Sequence, residues 1–403
     1  MHHYWTYGLL ALAAVCLAST RALAQQSPTG KFEVTGSLLA MPKVSAGGTF
    51  DPSLADTPPG QPTWMSYSAV DPSPRWPKKN TGTITTRIAR SDDGGSTWND
   101  IGLQINGLKE VQGGSSGGSW SNEVSSLVFD PVAPPEARWK LFWHHYLSRG
   151  NDRQFQNGWI AYKHAAMPAG LASAREVKLF GAMAYNHDND KPDSPNGSPV
   201  DGPPAVDVTK LDTGLSRCVV LTEPGAMATP GGLYMSIDCF LPKVSNVIGL
   251  LGIGLFGVKD QVILLKCAAP CHPAQQASWK YIGTVLNPDD SDFYGYNSLS
   301  GTDLFSANGR TYLLASPVSN KPVGNSYNGC DLFRFKDLDA GTLEQTGGHP
   351  TRLMKIHGDP DTFNGACTYQ ASAPKVGFLY GQITFAASPI FHIYATGPVQ
   401  LPQ

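Results

Sequence analysis

Four acidic residues stand at matching places in short, turn-bounded runs of this chain, and their types are those of acid–base chemistry. Asp51 lies in Phe50-Asp51-Pro52, Glu123 in Asn122-Glu123-Val124 and Glu223 in Thr222-Glu223-Pro224, with Asp303 at the corresponding place of a fourth run. Hydrolysis of a glycosidic bond needs two carboxyl groups, one to protonate the leaving oxygen and one to act as base or nucleophile. A third close by raises the acid's pKa by like-charge repulsion. Asp130, in Phe129-Asp130-Pro131, falls at the far end of its run and reads as a turn residue.

Residues this far apart in sequence meet only if the chain keeps returning to one axis. Helix-period segments are nearly absent, and short apolar, β-branched and aromatic runs recur between Gly, Pro, Asn and Asp clusters, the pattern of many short strands. A unit repeats: a small or polar first strand carrying an acidic or polar residue, a turn, then an aromatic-rich strand. Copies begin near Thr49, Asn122, Val220, Thr302 and Ala366, and the Asn308-Gly309 pair in the fourth is a hairpin signal. Two further strands complete each copy, for example 83–90 and 101–105 in the first and 261–267 and 279–286 in the third. The prediction is an all-β, five-bladed β-propeller. The last copy runs out of chain after Phe391-His392-Ile393-Tyr394, and the unpaired N-terminal strand 31–39 closes the ring, protecting its edges. A β-sandwich or jelly roll is the rival.

Residues 91–98, Ser-Asp-Asp-Gly-Gly-Ser-Thr-Trp, resemble the Asp-box of sialidase-like propellers, matching at Ser91, Asp93, Gly95, Thr97 and Trp98. In such a turn the Asp accepts from local N–H groups, Gly permits positive φ and Trp tucks into the sheet, a structural device without a catalytic residue. The carboxylate pattern is similar to that of the five-bladed propeller glycosidases, the arabinanase and xylosidase family 43 and its relatives among the levansucrases and invertases. That resemblance implies Asp51 as base, Glu223 as acid and Glu123 as the group that tunes pKa. Glu123 stands where the family has Asp.

The catalytic set expected is therefore Asp51, Glu123 and Glu223. The substrate-binding set is Trp120, Asn122, Tyr296, Asp303 and Tyr369, since sugar rings stack on aromatic faces, although most aromatics in such a fold fill its core. His144 and His145, on one strand, face opposite sides and read as structural. The Ser-rich stretch 113–119 leads to Trp120 as a flexible loop. No metal is expected: Asp188 and Asp190 lie in a Pro/Gly-rich surface insertion and are too few for an ion site, and no ligand spacing supports a structural calcium ion. No phosphate loop or nucleophile elbow appears.

Residues 9–18 form an apolar run within the roughly 7–15 residues of a signal peptide and too short to span a bilayer. Ala22-Leu23-Ala24 follows as a cleavage pattern. The chain is read as a signal peptide, 1–24, and one propeller domain, 25–403, secreted or periplasmic, with an uncleaved membrane anchor as the alternative. Six cysteines remain after cleavage, an even number that suggests disulfides in an exported chain. Local geometry favours Cys218 with Cys239 across a hairpin and Cys267 with Cys271 across a short loop. With 43 Gly, 32 Pro, 10% aromatic and 15% charged residues the chain is globular and turn-rich. A net charge of -2 without Lys/Arg clusters argues against nucleic acid. The Gly-broken apolar segment 247–256 reads as a loop packed on the propeller, or else as a patch for a partner or membrane. No transmembrane segment is expected after signal cleavage.

The leading expectation is thus a glycoside hydrolase acting on an oligo- or polysaccharide without cofactor. A sialidase-like hydrolase and a non-catalytic glycan- or protein-binding propeller are the alternatives, since fold alone does not imply function.

Overall fold

The β-branched and aromatic runs pair across tight turns into antiparallel sheets. The computed structural model describes residues 33–71, 83–104, 119–149, 152–181, 203–241, 259–321, 324–385 and 389–402. The signal segment, the insertion carrying Asp188 and Asp190 and the apolar segment 247–256 lie outside the described residues.

The chain is all-β with a β-propeller arrangement. The first sheet runs Thr49–Leu54, Thr63–Asp71, Thr83–Ser91, Asn99–Gln104 in order. The second runs Ser119–Phe129, Trp139–Arg149, Asp152–Ala165, Val177–Phe180. The third runs Val220–Thr229, Gly232–Leu241, Lys259–Ala268, Trp279–Leu286. The last holds Asn364–Tyr369, Phe378–Phe385 and Pro389–Ala395, with Ser37–Leu38 on its outer edge.

The expectation of five four-stranded copies is corrected by the region between the third and last sheets. There, Ser298–Ala307, Arg310–Lys321, Cys330–Asp337 and Met354–Ile356 belong to a seven-stranded sheet, so four sheets, not five, have four strands. Three short segments add to it: Gly324–Tyr327 and Thr342–Leu343 fold back on their neighbours, and Glu33–Val34 pairs parallel with Met354–Ile356. The N-terminal segment is consequently not one strand. It crosses between sheets at Gly36, whose N–H donates to the Tyr380 hydroxyl at 3.0 Å, and resumes as Ser37–Leu38 against Tyr394 and Ala395.

Alternation along each strand sends large apolar side chains into the clefts between neighbouring sheets. Leu127, Leu141 and Trp143 meet Ile88 between the first and second, and Phe142 and Ile160 meet Leu233 and Ile237 between the second and third. Leu264 meets Leu299 and Leu313, Phe305 and Leu314 meet Phe378 and Tyr380, and Leu379 and Ile393 meet Met65 and Tyr67. The turn at 91–98 is tied by its own side chains: Asp93 accepts from Thr97 N at 2.9 Å and Ser91 Oγ from Gly95 N at 2.8 Å, with Trp98 buried behind.

Disulfides join Cys218 to Cys239 and Cys267 to Cys271, as local geometry suggested, and a third joins Cys330 to Cys367. The first two staple strands within the third sheet or its loop, whereas the third links the seven-stranded sheet to the last.

Candidate active site

The innermost strands of neighbouring sheets lie side by side around the axis. Each carries a bulge at the same height. Register slips between Phe50 and Ser53, Glu123 and Ser126, Thr222 and Gly225, Ser300 and Asp303, and Gly365 and Thr368. Within each slip one residue takes a left-handed conformation: Asp51 (φ 47°), Val124 (50°), Glu223 (55°), Gly301 (59°) and Ala366 (51°). Non-glycine residues adopt this region uncommonly, and only where surrounding structure holds them there. Because Val124 and Ala366 share the conformation, it belongs to the repeated architecture and not to one side chain's chemistry.

This alignment places the predicted site residues. Asp51 and Glu223 occupy equivalent left-handed positions on the first and third sheets. Glu123 does not; Val124 takes that place and Glu123 precedes it by one residue. Asp303 does not either, since Gly301 holds the position and Asp303 follows by two. A cavity on the axis is lined by the left-handed residues Asp51, Val124, Gly301 and Ala366 and by residues just after each left-handed position, among them Asp303.

On the first, second and last sheets, a side-chain oxygen two residues after the left-handed one ties the sheet to the next. Ser53 Oγ accepts from Leu127 N at 3.1 Å, Ser126 Oγ from Ala226 N at 2.9 Å and Thr368 Oγ1 from Leu54 N at 3.1 Å. The third sheet has Gly225 there. A Cβ on it would collide with the carbonyl oxygen of Thr302 and lie 2.7 Å from Asp303 Cα, so the close approach demands glycine. The N–H that a side chain at 225 would have served, Leu304 N, is instead taken by Asp303 Oδ1 at 2.9 Å. Asp303 thus stands at the lock position of its own strand, although this bond joins it to its chain neighbour and not to another sheet. Burial pushes its carboxyl up to about 7.

The three carboxyl groups expected to do chemistry converge. Asp51 is 3% exposed and accepts from Ser68 Oγ at 3.2 Å, and Glu123 accepts from the Tyr146 hydroxyl at 2.7 Å. Burial first, then the charges of Glu123 and Glu223, push the Asp51 carboxyl well above its ordinary range. Glu223 is the more exposed of the three.

The second strands supply partners that the sequence did not disclose. Opposite the residue before each left-handed one stand Ser68, His144, Asp238 and Ser316 in the first four sheets. His144 Nδ1 meets Thr222 Oγ1 at 2.6 Å, and burial holds the His144 and His145 rings down to about 3, so both stay neutral. Ser316 Oγ accepts from Ala366 N at 2.9 Å, and Asp238 Oδ2 accepts from Gly301 N, also at 2.9 Å. Asp238 is fully buried, and burial, then Glu223 and Asp260, push its carboxyl far up. Burial likewise raises Asp260 to about 8, with Glu223 adding to the rise. The Tyr327 hydroxyl faces Glu223 and Asp238. The one sequence signal for Asp238 was a lone carboxylate inside the apolar strand Leu233-Tyr234-Met235-Ser236-Ile237.

The remaining predicted binding residues sit elsewhere. Asn122 is buried, its Oδ1 accepting from Trp143 Nε1 at 3.0 Å and contacting His145 Nδ1. Tyr369 packs between Phe305 and Phe378 in the cleft between sheets, because alternation turns it off the axis. The Tyr296 hydroxyl accepts from Arg352 at 2.8 Å near Asp331 on the third strand of the seven-stranded sheet, outward from the axis. Trp120 is on an innermost strand, but its side chain lies outside the described residues. Asp130 forms a buried ion pair with Lys140 at 2.8 Å at the far end of its strand.

No family model and no curated protein matches the chain. Among solved structures it is similar to an alpha-L-arabinofuranosidase from Podospora anserina in complex with cellotriose, at 10% identity over 92% of this chain and 97% of that one, TM-score 0.49. It is similar also to the catalytic domain of a GH62 alpha-L-arabinofuranosidase from Coprinopsis cinerea, at 9% identity over 90% and 95%, TM-score 0.46. A third is an arabinanase from Bacillus subtilis, at 11% identity over 89% and 94%, TM-score 0.44.

Proposed function

We propose that this protein hydrolyses glycosidic bonds of a neutral oligo- or polysaccharide, with Asp51 and Glu223 as the two carboxyl groups that act on the bond. The observation that carries the reading is their equivalence: two acids at the same bulge position of two innermost strands, close enough for their charges to act on one another. Glu223, the more exposed, protonates the leaving oxygen as the C–O bond breaks. Asp51 takes the proton of the attacking water. Glu123, held by Tyr146, adds the like charge that keeps a proton in the set.

The same reading takes the five sheets as one five-bladed ring, a single domain closed by the N-terminal segment. The bond from Leu54 N to Thr368, the Met65–Leu379 cleft and the pairing of Ser37–Leu38 with the last sheet support it. It also takes the turn at 91–98 as an Asp-box, and the protein as exported through the N-terminal signal, which three disulfides support.

The test is hydrolysis of a panel of neutral and sialylated glycans by the mature protein beside Asp51→Asn and Glu223→Gln. Each substitution is expected to cost about 10²–10⁴-fold in kcat on a neutral glycan. Glycan binding that survives both substitutions, with no turnover of any substrate by the unsubstituted protein, replaces the hydrolase by a binding propeller.

A further inference from the structure

The position held by Asp238 recurs in the other sheets, and the recurrence separates what the fold needs there from what it does not. Ser316 stands at the matching place in the next sheet and its hydroxyl alone holds the N–H of left-handed Ala366. Asp238 performs the same task with one oxygen, Oδ2, toward Gly301 N. A serine would suffice for it. The chain instead places a carboxyl group with no exposure, within hydrogen-bonding reach of Glu223 on the adjoining strand. Asp238 Oδ1 and Glu223 Oε2 are both buried, and neither receives a hydrogen bond from a donor among the described residues.

Two carboxylates are acceptors only, so a buried contact between them is satisfied when one carries a proton. We propose that Asp238 and Glu223 share a single proton, with Asp238 as a positioning residue that holds it at the buried end between turnovers and gives it back to Glu223, which passes it to the leaving oxygen. The delivery half rests on the hydrolase reading; the shared proton does not. As the C–O bond breaks, the one shared proton passes from Glu223 to the leaving oxygen and leaves both carboxyl groups ionised, and water returns a proton to the pair after the products leave. The groups facing the pair agree with a retained proton. Asp260 on the third strand, Asp51 and Glu123 on the innermost strands and the Tyr327 hydroxyl surround it, and the nearby His144 is neutral. Burial, reinforced by the charges of Glu223 and Asp260, disfavours a second negative charge at Asp238.

The experiment has two arms on the full chain. In the first, thermal and denaturant unfolding is followed from pH 4 to 9 for the unsubstituted protein, Glu223→Gln, Asp238→Asn and the double variant, with Asp238→Ser as the version that keeps only the backbone contact. A shared proton makes the two substitutions non-additive at pH 8 and at pH 5, since the pair holds it at both, by at least about tenfold in the unfolding constant. Additivity at both pH values overturns the shared proton. In the second, dinitrophenyl and phenyl glycosides of the sugar that the panel identifies are compared. Asp238→Asn, Asp238→Ser and Glu223→Gln should all lose about hundredfold on the phenyl glycoside, whose departure needs a proton, and little on the dinitrophenyl one. Equal losses on both by the Asp238 variants, as a purely structural role gives, overturn delivery. Failure of every glycan to turn over removes the hydrolase reading and the delivery role with it, while the stability arm still decides the shared proton.

Discussion

Replacing Asp303 by Asn should make the protein more stable at neutral pH and leave it unchanged in acid. Asp303 is 8% exposed and its carboxyl is raised by burial from an ordinary 3.8 to about 7. A carboxyl raised on folding binds its proton more tightly in the native state, so its contribution is fully present below the unfolded value and is lost as pH climbs toward the folded one. A rise from 3.8 to about 7, at about 1.36 kcal/mol for each pH unit, amounts to roughly 4 kcal/mol by pH 8. Asn keeps the Oδ1 that accepts from Leu304 N and never ionises. An unfolding entropy of about 2.1 cal/mol/K per residue over 403 residues converts roughly 4 kcal/mol to a rise of about 5 °C in Tm. The assay is calorimetry of both proteins from pH 4.5 to 8.5. Curves that run parallel, with the variant no more stable at pH 8.5 than at pH 4.5, refute the assignment of Asp303 as a buried lock-position residue that resists ionisation.

Removing the lock elsewhere should destabilise at every pH. Ser126→Ala leaves Ala226 N without its acceptor and should cost about 1–3 kcal/mol in urea unfolding, whereas a change under a few tenths would mean the inter-sheet bond does not hold the strands. Gly225→Ser, which would restore a hydroxyl to the empty lock position, should destabilise nonetheless, because its Cβ meets Thr302 and Asp303; a stabilised variant would show that the strands can part. The disulfides should differ by the loops they close. Replacing Cys330 and Cys367 by Ala, 37 residues apart, should cost about 4 kcal/mol, and replacing Cys267 and Cys271, 4 apart, about 2. Equal losses in equilibrium unfolding would argue against the loop-closure account.

Periodicity and turn chemistry in the sequence determined that the chain is built of short antiparallel strands in repeated hairpins, and two of the three disulfides followed from strands joined by short turns. They also singled out Asp51 and Glu223, because an acid before proline at the head of a strand stands out locally. That Glu123 and Asp303 fall out of line with them could not be read. A bulge adds one residue to a strand and shifts the remainder of that strand relative to its partner, and nothing in Val124 or Gly301 marks them as the residues that take the left-handed turn. Tyr296 and Tyr369 illustrate the same limit for aromatics, since a ring that stacks on a sugar and one that fills the cleft between sheets have the same composition and spacing. Asp238 was beyond reach for another reason. Its significance lies in a fully buried carboxyl meeting Glu223 across two strands and Gly301 across two sheets, and burial and contact between distant segments are properties of the tertiary structure alone.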